Sequence, residues 1–199
     1  MLINRKYILA SSSKSRYHIL KNAGFNFKKI KPSCNEEEIK KTIKEKTKNP
    51  TIIALKLSYE KAKSISKNKK YFNDYVIGCD TLVYLNQLIF DKAKNIMEAK
   101  RKIKRLSGKT HKIVSGVTIF YKGRKVQQFS ETTKVKIRKL KEKQIDQYLK
   151  KTGEQILQSV GCYQIESLGP YIIEYIDGDF FNVMGLPLFK LLKHTSYKK

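Results

Sequence analysis

The chain's 199 residues suffice for one domain, or two tightly joined lobes, around a sizeable core, and 40% hydrophobic content with 12 Tyr and 9 Phe excludes intrinsic disorder. No apolar run reaches the ~18–20 residues that span a bilayer. The formal charge of +26 rests on 43 basic residues, only six of them Arg, and the lysines are spread along the whole chain. A basic surface attracts polyanions. Without an arginine-rich arm or an RNA-binding signature, however, this distribution reads as solvated lysine faces and argues against nucleic acid as the partner.

The opening Met1-Leu2-Ile3-Asn4-Arg5-Lys6 is broken by charge too early for the apolar core of a signal peptide, so a soluble cytoplasmic protein is expected. Tyr7–Ala10 is a short apolar run of buried-strand type. Ser11-Ser12-Ser13 follows, then Tyr17, Leu20 and Ala23 at three-residue spacing and Gly24, the pattern of an N-capped helix with a glycine stop. Residues 25–30 alternate as a second strand. Pro50 opens a helix that turns Ile53, Leu57 and Ala62 to the core and runs to about Ser66. Tyr75-Val76-Ile77-Gly78-Cys79 is a buried strand ending on Asp80, and Asn86-Gln87 marks a hairpin between two apolar runs. Ala99, Ile103 and Leu106 mark another helix, closed by Gly108. Two long strands are expected over residues 111–121 and 126–137, a helix over 142–149, and a strand over 171–176. A last amphipathic helix carries Leu188, Leu191 and Leu192. Strands mixed with helices, some in hairpins, indicate an α/β fold with a mixed sheet, and no linker divides the chain.

Four segments carry chemistry. Ser11-Ser12-Ser13-Lys14-Ser15-Arg16 sits at a strand-to-helix junction, where unpaired amides and the helix dipole favour an anion and the Arg16 fork matches phosphate oxygens; serines there also serve as plain caps. Asp80 is a carboxylate at the end of an apolar strand, either a functional group in the sheet or a cap of the next turn. Glu36-Glu37-Glu38, with Glu60, offers carboxylates for Mg²⁺ or a solvated helix start. Gly108-Lys109-Thr110 has the end of a P-loop, but Ile103 stands where the first glycine is required and the segment closes a helix, so a Walker motif is excluded and His111 is structural. Cys34, Cys79 and Cys162 have neither disulfide-framework nor zinc spacing, and free thiols are expected.

Taken in order, these segments resemble the Maf family of nucleotide pyrophosphatases from Ile8 to about Leu192: the Ile8-to-Arg16 stretch, Gly78-Cys79-Asp80-Thr81, Leu106-Ser107-Gly108-Lys109-Thr110-His111, and Phe181-Asn182-Val183-Met184-Gly185-Leu186-Pro187-Leu188. The resemblance implies a single domain over residues 1–199 with a mixed twisted sheet, flanking helices and two lobes around a nucleotide-binding cleft, the Maf/ITPase-like arrangement. It implies hydrolysis of a nucleoside triphosphate between the α and β phosphates, clearing non-canonical or surplus nucleotides with a divalent cation, Mg²⁺ or Mn²⁺. By resemblance Asp80 is the proton acceptor and a metal ligand with Glu37. Ser11, Ser13 and Arg16 form the phosphate-binding opening, Lys61 and Lys92 are substrate lysines, and Ser15, Thr81 and Glu166 stand at the positions tied to base choice. Several positions depart from the family pattern: Lys14 replaces a usual Pro, Cys34 a usual Asp, and Ala93 a usual Pro. Thr81 is similar to the dTTP/UTP branch and Glu166 to the 7-methyl-GTP branch, so a broad or non-standard nucleotide preference is expected. Deaminated purines are a narrower option, and a basic regulatory protein on a degenerate scaffold is the competing one. A homodimer is compatible with all of these.

Overall fold

The computed structural model describes residues 5–196. Met1-Leu2-Ile3-Asn4, on which the signal-peptide expectation falls in part, lies outside the described residues. Seven strands form one mixed sheet: β1 (Tyr7–Ala10), β2 (Phe27–Ile30), β3 (Tyr75–Leu85), β4 (Leu88–Phe90), β5 (Thr110–Tyr121), β6 (Arg124–Ile137) and β7 (Ile173–Asp177). Their order is β2-β1-β3-β5-β6-β7, with β4 paired to β3. β1 runs parallel to both β2 and β3, whereas β4 on β3 and β7 on β6 are antiparallel. The helices are α1 (Lys14–Asn22), α2 (Glu36–Lys46), α3 (Pro50–Ser66), α4 (Ile96–Leu106), α5 (Glu142–Thr152), α6 (Phe180–Val183) and α7 (Leu188–Ser196). None of the described helices is long and apolar enough to cross a membrane.

Local chemistry accounts for the boundaries. The Ser13 hydroxyl caps α1 by accepting from the Arg16 amide, and Asn35, Asn49 and Asn95 cap α2, α3 and α4 in the same way. Pro50 occupies the first turn of α3, where its missing N–H costs nothing. Asn86 and Gln87 both take positive φ, 48° and 68°, giving the two-residue hairpin between β3 and β4. The last strand begins two residues later than its pattern suggests, because Gly169–Tyr171 forms a 3₁₀ turn around Pro170.

The chain divides into two compact units. The first holds the residues up to Thr81, Val114–Glu131 and the segment from Gly185 onward. Its core includes Ile8 and Ala10 of β1, Val76 of β3, Phe120 of β5 and Ala62 and Ile65 of α3. α3 lies directly on the sheet at two glycines. A Cβ at Gly78 would stand 2.2 Å from the Ser58 carbonyl oxygen, and one at Gly116 would stand 2.5 Å from the Ala54 carbonyl. The second unit holds Leu82–Ile113 and Thr132–Met184. Ile103 and Leu106 of α4, Tyr148 and Leu149 of α5, and Val135 and Ile137 of β6 build its core. His111 is buried there, its Nε2 2.6 Å from the Tyr163 hydroxyl, which fits the structural role expected of it.

Candidate active site

Asp80 is not at the end of a strand. β3 runs unbroken through it, so the carboxylate caps no turn. What ends beside it is the neighbour: the register of β1 on β3 closes at Ala10 opposite Gly78. The chain leaves β1 at Ser11 just there, and the Ser11–Ser13 turn and Asp80 come together in the first unit. A strand terminus on one side of a continuous strand thus exposes a polar side chain without breaking the sheet.

Lys61 of α3 reaches this point. Its Nζ donates to Asp80 Oδ1 at 2.7 Å and lies 2.7 Å from Glu36 Oε2. The lysine side chain is 6% exposed, Asp80 13% and Glu36 49%, so the cation is the most deeply buried member. Burial by itself would push the Lys61 ammonium down, and the charge of Arg16 acts in the same sense. Asp80, as charge and as hydrogen-bond partner, and Glu36 outweigh both, and the ammonium titrates above its ordinary range. Asp80 Oδ2 receives no hydrogen bond among the described residues, so one carboxylate oxygen is anchored and the other is available.

Arg16, in the first turns of α1, forms the second half of the group. Its Nε donates to the Gly185 carbonyl at 2.8 Å, Nη1 to Ser11 Oγ at 3.2 Å and Nη2 to Thr81 Oγ1 at 3.0 Å. Thr81 Oγ1 also lies 2.8 Å from Ser115 Oγ and donates to the Gly185 carbonyl at 3.1 Å. Gly185 has φ 106°, in the region that L side chains avoid, and this conformation presents its carbonyl to the guanidinium. Three of the five guanidinium N–H groups are thereby used, and two remain for an anion. Ser11 is buried, and its Oγ also accepts from the Ser13 amide at 3.2 Å, so the serine turn is internally braced.

The family model described as Maf-like protein matches residues 6–196. The chain belongs to the Maf family. Among relatives of this Maf chain, the 7-methyl-GTP pyrophosphatase of Bartonella henselae is 40% identical over 93% of the chain and 91% of the relative. The dTTP/UTP pyrophosphatase of Pyrococcus furiosus is 38% identical over 95% and 93%, and the nucleoside triphosphate pyrophosphatase of Caulobacter vibrioides 36% over 92% and 91%. Of solved structures, the Staphylococcus aureus Ham1 protein aligns with 68% of this chain and 73% of its own at 14% identity, with a TM-score of 0.35.

Of the residues named from the sequence of this Maf protein, Ser11, Ser13, Arg16, Lys61, Asp80 and Thr81 share this hydrogen-bonded neighbourhood of the first unit. Ser15 is half-buried on α1, and Lys92 and Glu166 are exposed in the second unit. The carboxylate that reaches Lys61 is Glu36, while Glu37 is exposed one residue further along the first turn of α2. Sequence reasoning placed Glu36 in an acidic run without singling it out, and it missed Ser115 and the Gly185 carbonyl. The sequence signal for Ser115 was a hydroxyl in the apolar middle of its strand, a signal that Thr118 shares.

Proposed function

We propose that this Maf protein is a nucleoside triphosphate pyrophosphatase that cleaves between the α and β phosphates, releasing a nucleoside monophosphate and pyrophosphate. The observation that carries this is the pairing of Asp80, anchored through Oδ1 by Lys61 with Oδ2 available, with the Arg16–Ser11–Ser13 turn beside it. A half-anchored carboxylate is suited to accept a proton from an attacking water, and the two remaining Arg16 N–H groups suit phosphate oxygens. In the step, the water oxygen bonds to the α-phosphorus, its proton passes to Asp80 Oδ2, and the bond to the bridging oxygen breaks as pyrophosphate leaves. Lys61 keeps Asp80 in place and adds positive charge where negative charge builds on the phosphates. The pyrophosphatase names of the relatives support the same reaction.

Glu36 and Asp80 also fit a Mg²⁺ or Mn²⁺ ion as donors. Among the described residues no group of three or more His, Cys, Asp and Glu gathers, and two carboxylates suit an ion that completes its shell with substrate phosphate and water. Such an ion would polarise the phosphate under attack. Glu37 as a ligand, Lys92 as a phosphate lysine, and Ser15 and Glu166 in base choice are supported by resemblance alone. A broad nucleotide preference, action of both units as one catalytic domain, and a cytoplasmic location suited to the three free thiols complete the proposal.

A panel of nucleoside triphosphates with Mg²⁺ or Mn²⁺ tests it. Pyrophosphate should appear as first product, and Asp80→Asn, which keeps an oxygen for Lys61 to bond, should lose that release while still showing a cooperative thermal transition. Orthophosphate as first product, or full turnover by the Asp80 variant, contradicts it. Salt-sensitive oligonucleotide binding with no turnover of any triphosphate would instead favour the regulatory alternative.

A further inference from the structure

Gly78 and Gly116 let α3 come down onto the sheet, but a steric stop limits only how close the helix approaches. It leaves α3 free to slide along its axis or turn about it, and only directional contacts remove that freedom. Such contacts are buried beside the glycines. Thr118 stands on β5 two residues beyond Gly116, on the same face of the strand. Its Oγ1 lies 2.8 Å from Ser58 Oγ of α3, and both side chains are fully buried. Gln128 of β6 completes the group: its Nε2 donates to the Leu55 carbonyl of α3 at 3.1 Å and to Thr118 Oγ1 at 3.1 Å. The amide is oriented from both ends, because the Leu55 carbonyl only accepts, whereas Lys125 Nζ, which only donates, meets Gln128 Oε1 at 3.1 Å. Ser58 gives its proton to the Leu55 carbonyl at 2.8 Å, and Thr118, which accepts from Gln128, keeps its own proton for Ser58.

We infer that Thr118 and Gln128 are positioning residues for Lys61. Ser58 and Lys61 stand three residues apart on α3, neighbours on one helix face, so a displacement of the gripped turn is passed directly to the lysine. Lys61 has little room for it. Its Nζ meets Asp80 Oδ1 and Glu36 Oε2 at once, both at 2.7 Å. Such bonds hold only to about 3.2 Å, so a slide of about half an ångström stretches one of them to its limit. Thr118 and Gln128 hydrogen-bond neither Lys61 nor Asp80; they act through the helix. Two strands thereby fix the register of α3 against the strand that carries Asp80. The kinetic consequence rests on Lys61 holding Asp80 in the reaction proposed above, whereas the placement of the lysine does not.

The test has two arms, both run well below the thermal midpoint of each variant. In the first, lysines are acylated by an amine reagent and the labelled peptides counted by mass spectrometry. Lys61, buried between two carboxylates, should label far more slowly than the exposed Lys56. Thr118→Val, which removes the hydroxyl at constant shape, and Gln128→Leu, which removes the amide, should each speed Lys61 labelling several-fold and leave Lys56 unchanged. In the second arm, each should lower kcat for pyrophosphate release about tenfold with KM within about twofold, because the orientation of Asp80 is lost while substrate binding is kept. Thr118→Ser, which keeps the hydroxyl, should restore both readouts. In a Lys61→Met background the Thr118→Val effect on kcat should vanish, whereas a merely structural loss would persist there. Unchanged Lys61 labelling in both variants, or an undiminished kcat effect without Lys61, overturns the inference and leaves the pyrophosphatase proposal intact. Faster Lys61 labelling in a chain that releases no pyrophosphate even unaltered overturns that proposal and supports the placement of Lys61 by Thr118 and Gln128. Should Thr118→Val not fold, Gln128→Leu, nearer the surface, carries the same comparison.

Discussion

At the residue scale the chemistry turns on one buried cation. Lys61 sits almost wholly out of water because two carboxylates meet it, and such a cation tolerates loss of its partners poorly. Lys61→Met should therefore lower turnover far more than an exposed-lysine variant such as Lys56→Met, since Asp80 loses the group that orients it. A Lys61→Met enzyme of unchanged kcat in the pyrophosphate assay would remove Lys61 from the mechanism. His111 makes a second residue-scale prediction. Burial pushes its imidazole down to about 4 from an ordinary 6.5. As pH falls, the unfolded chain takes up that proton first, so acid favours unfolding. The His111 contribution is complete above about pH 6.5 and is lost as pH falls towards 4, about 3 kcal/mol in all. Denaturant titrations across this window should show a shallower pH slope for His111→Gln than for the unaltered chain.

At the element scale, α3 and the sheet are held at backbone contact by Gly78 and Gly116. Lys61 lies on α3 between Ser58 and Ala62, the residues that a Cβ at Gly78 would strike, so this contact sets the reach of Lys61 to Asp80. Gly78→Ala should push α3 away, destabilise the protein by roughly 1–3 kcal/mol as overpacking does, and lower kcat. Gly24→Ala, which meets no atom within 4 Å, tests backbone strain without this clash and should spare kcat. Equal loss of kcat in both would detach catalysis from the α3 contact. The elements themselves were legible in the sequence wherever a local rule governed them: Pro50–Ser66 from its proline start and apolar spacing, the Asn86-Gln87 hairpin from its flanking apolar runs. β3 was legible as two pieces, Tyr75–Cys79 and the apolar run before Asn86, because the polar Asp80 and Thr81 interrupt a pattern that the backbone continues unbroken. Hydrogen bonding to neighbouring strands, which no local pattern encodes, joins the two pieces into one strand.

At the scale of the whole molecule, a charge of +26 on 199 residues repels itself and attracts a polyanionic substrate. Both effects are screened once the Debye length shrinks to about 8–10 Å near 0.1–0.15 M salt. Raising salt from low ionic strength should therefore raise the thermal midpoint while lowering kcat/KM for triphosphates. A kcat/KM independent of salt would show that the lysine surface gives no steering. Which acidic residue faces the site was beyond the sequence for a related reason. Glu36 and Glu37 are equivalent in composition, but successive helical residues point about 100° apart, and only the docking of α2 beside α3 selects Glu36 for Lys61.

Taken alone, the amino-acid order determined the family, the α/β class, most element boundaries and the identity of Asp80, Arg16 and Lys61 as chemical groups, because periodicity, capping and motif order are local. Tertiary structure decided what those groups touch. Arg16 meets Thr81 65 residues away and Gly185 169 residues away, and Ser115 stands behind Thr81. Such partners are set by which strands lie side by side and where β1 ends against β3, and a hydroxyl acquires its role only when its proton and lone pairs are counted against them.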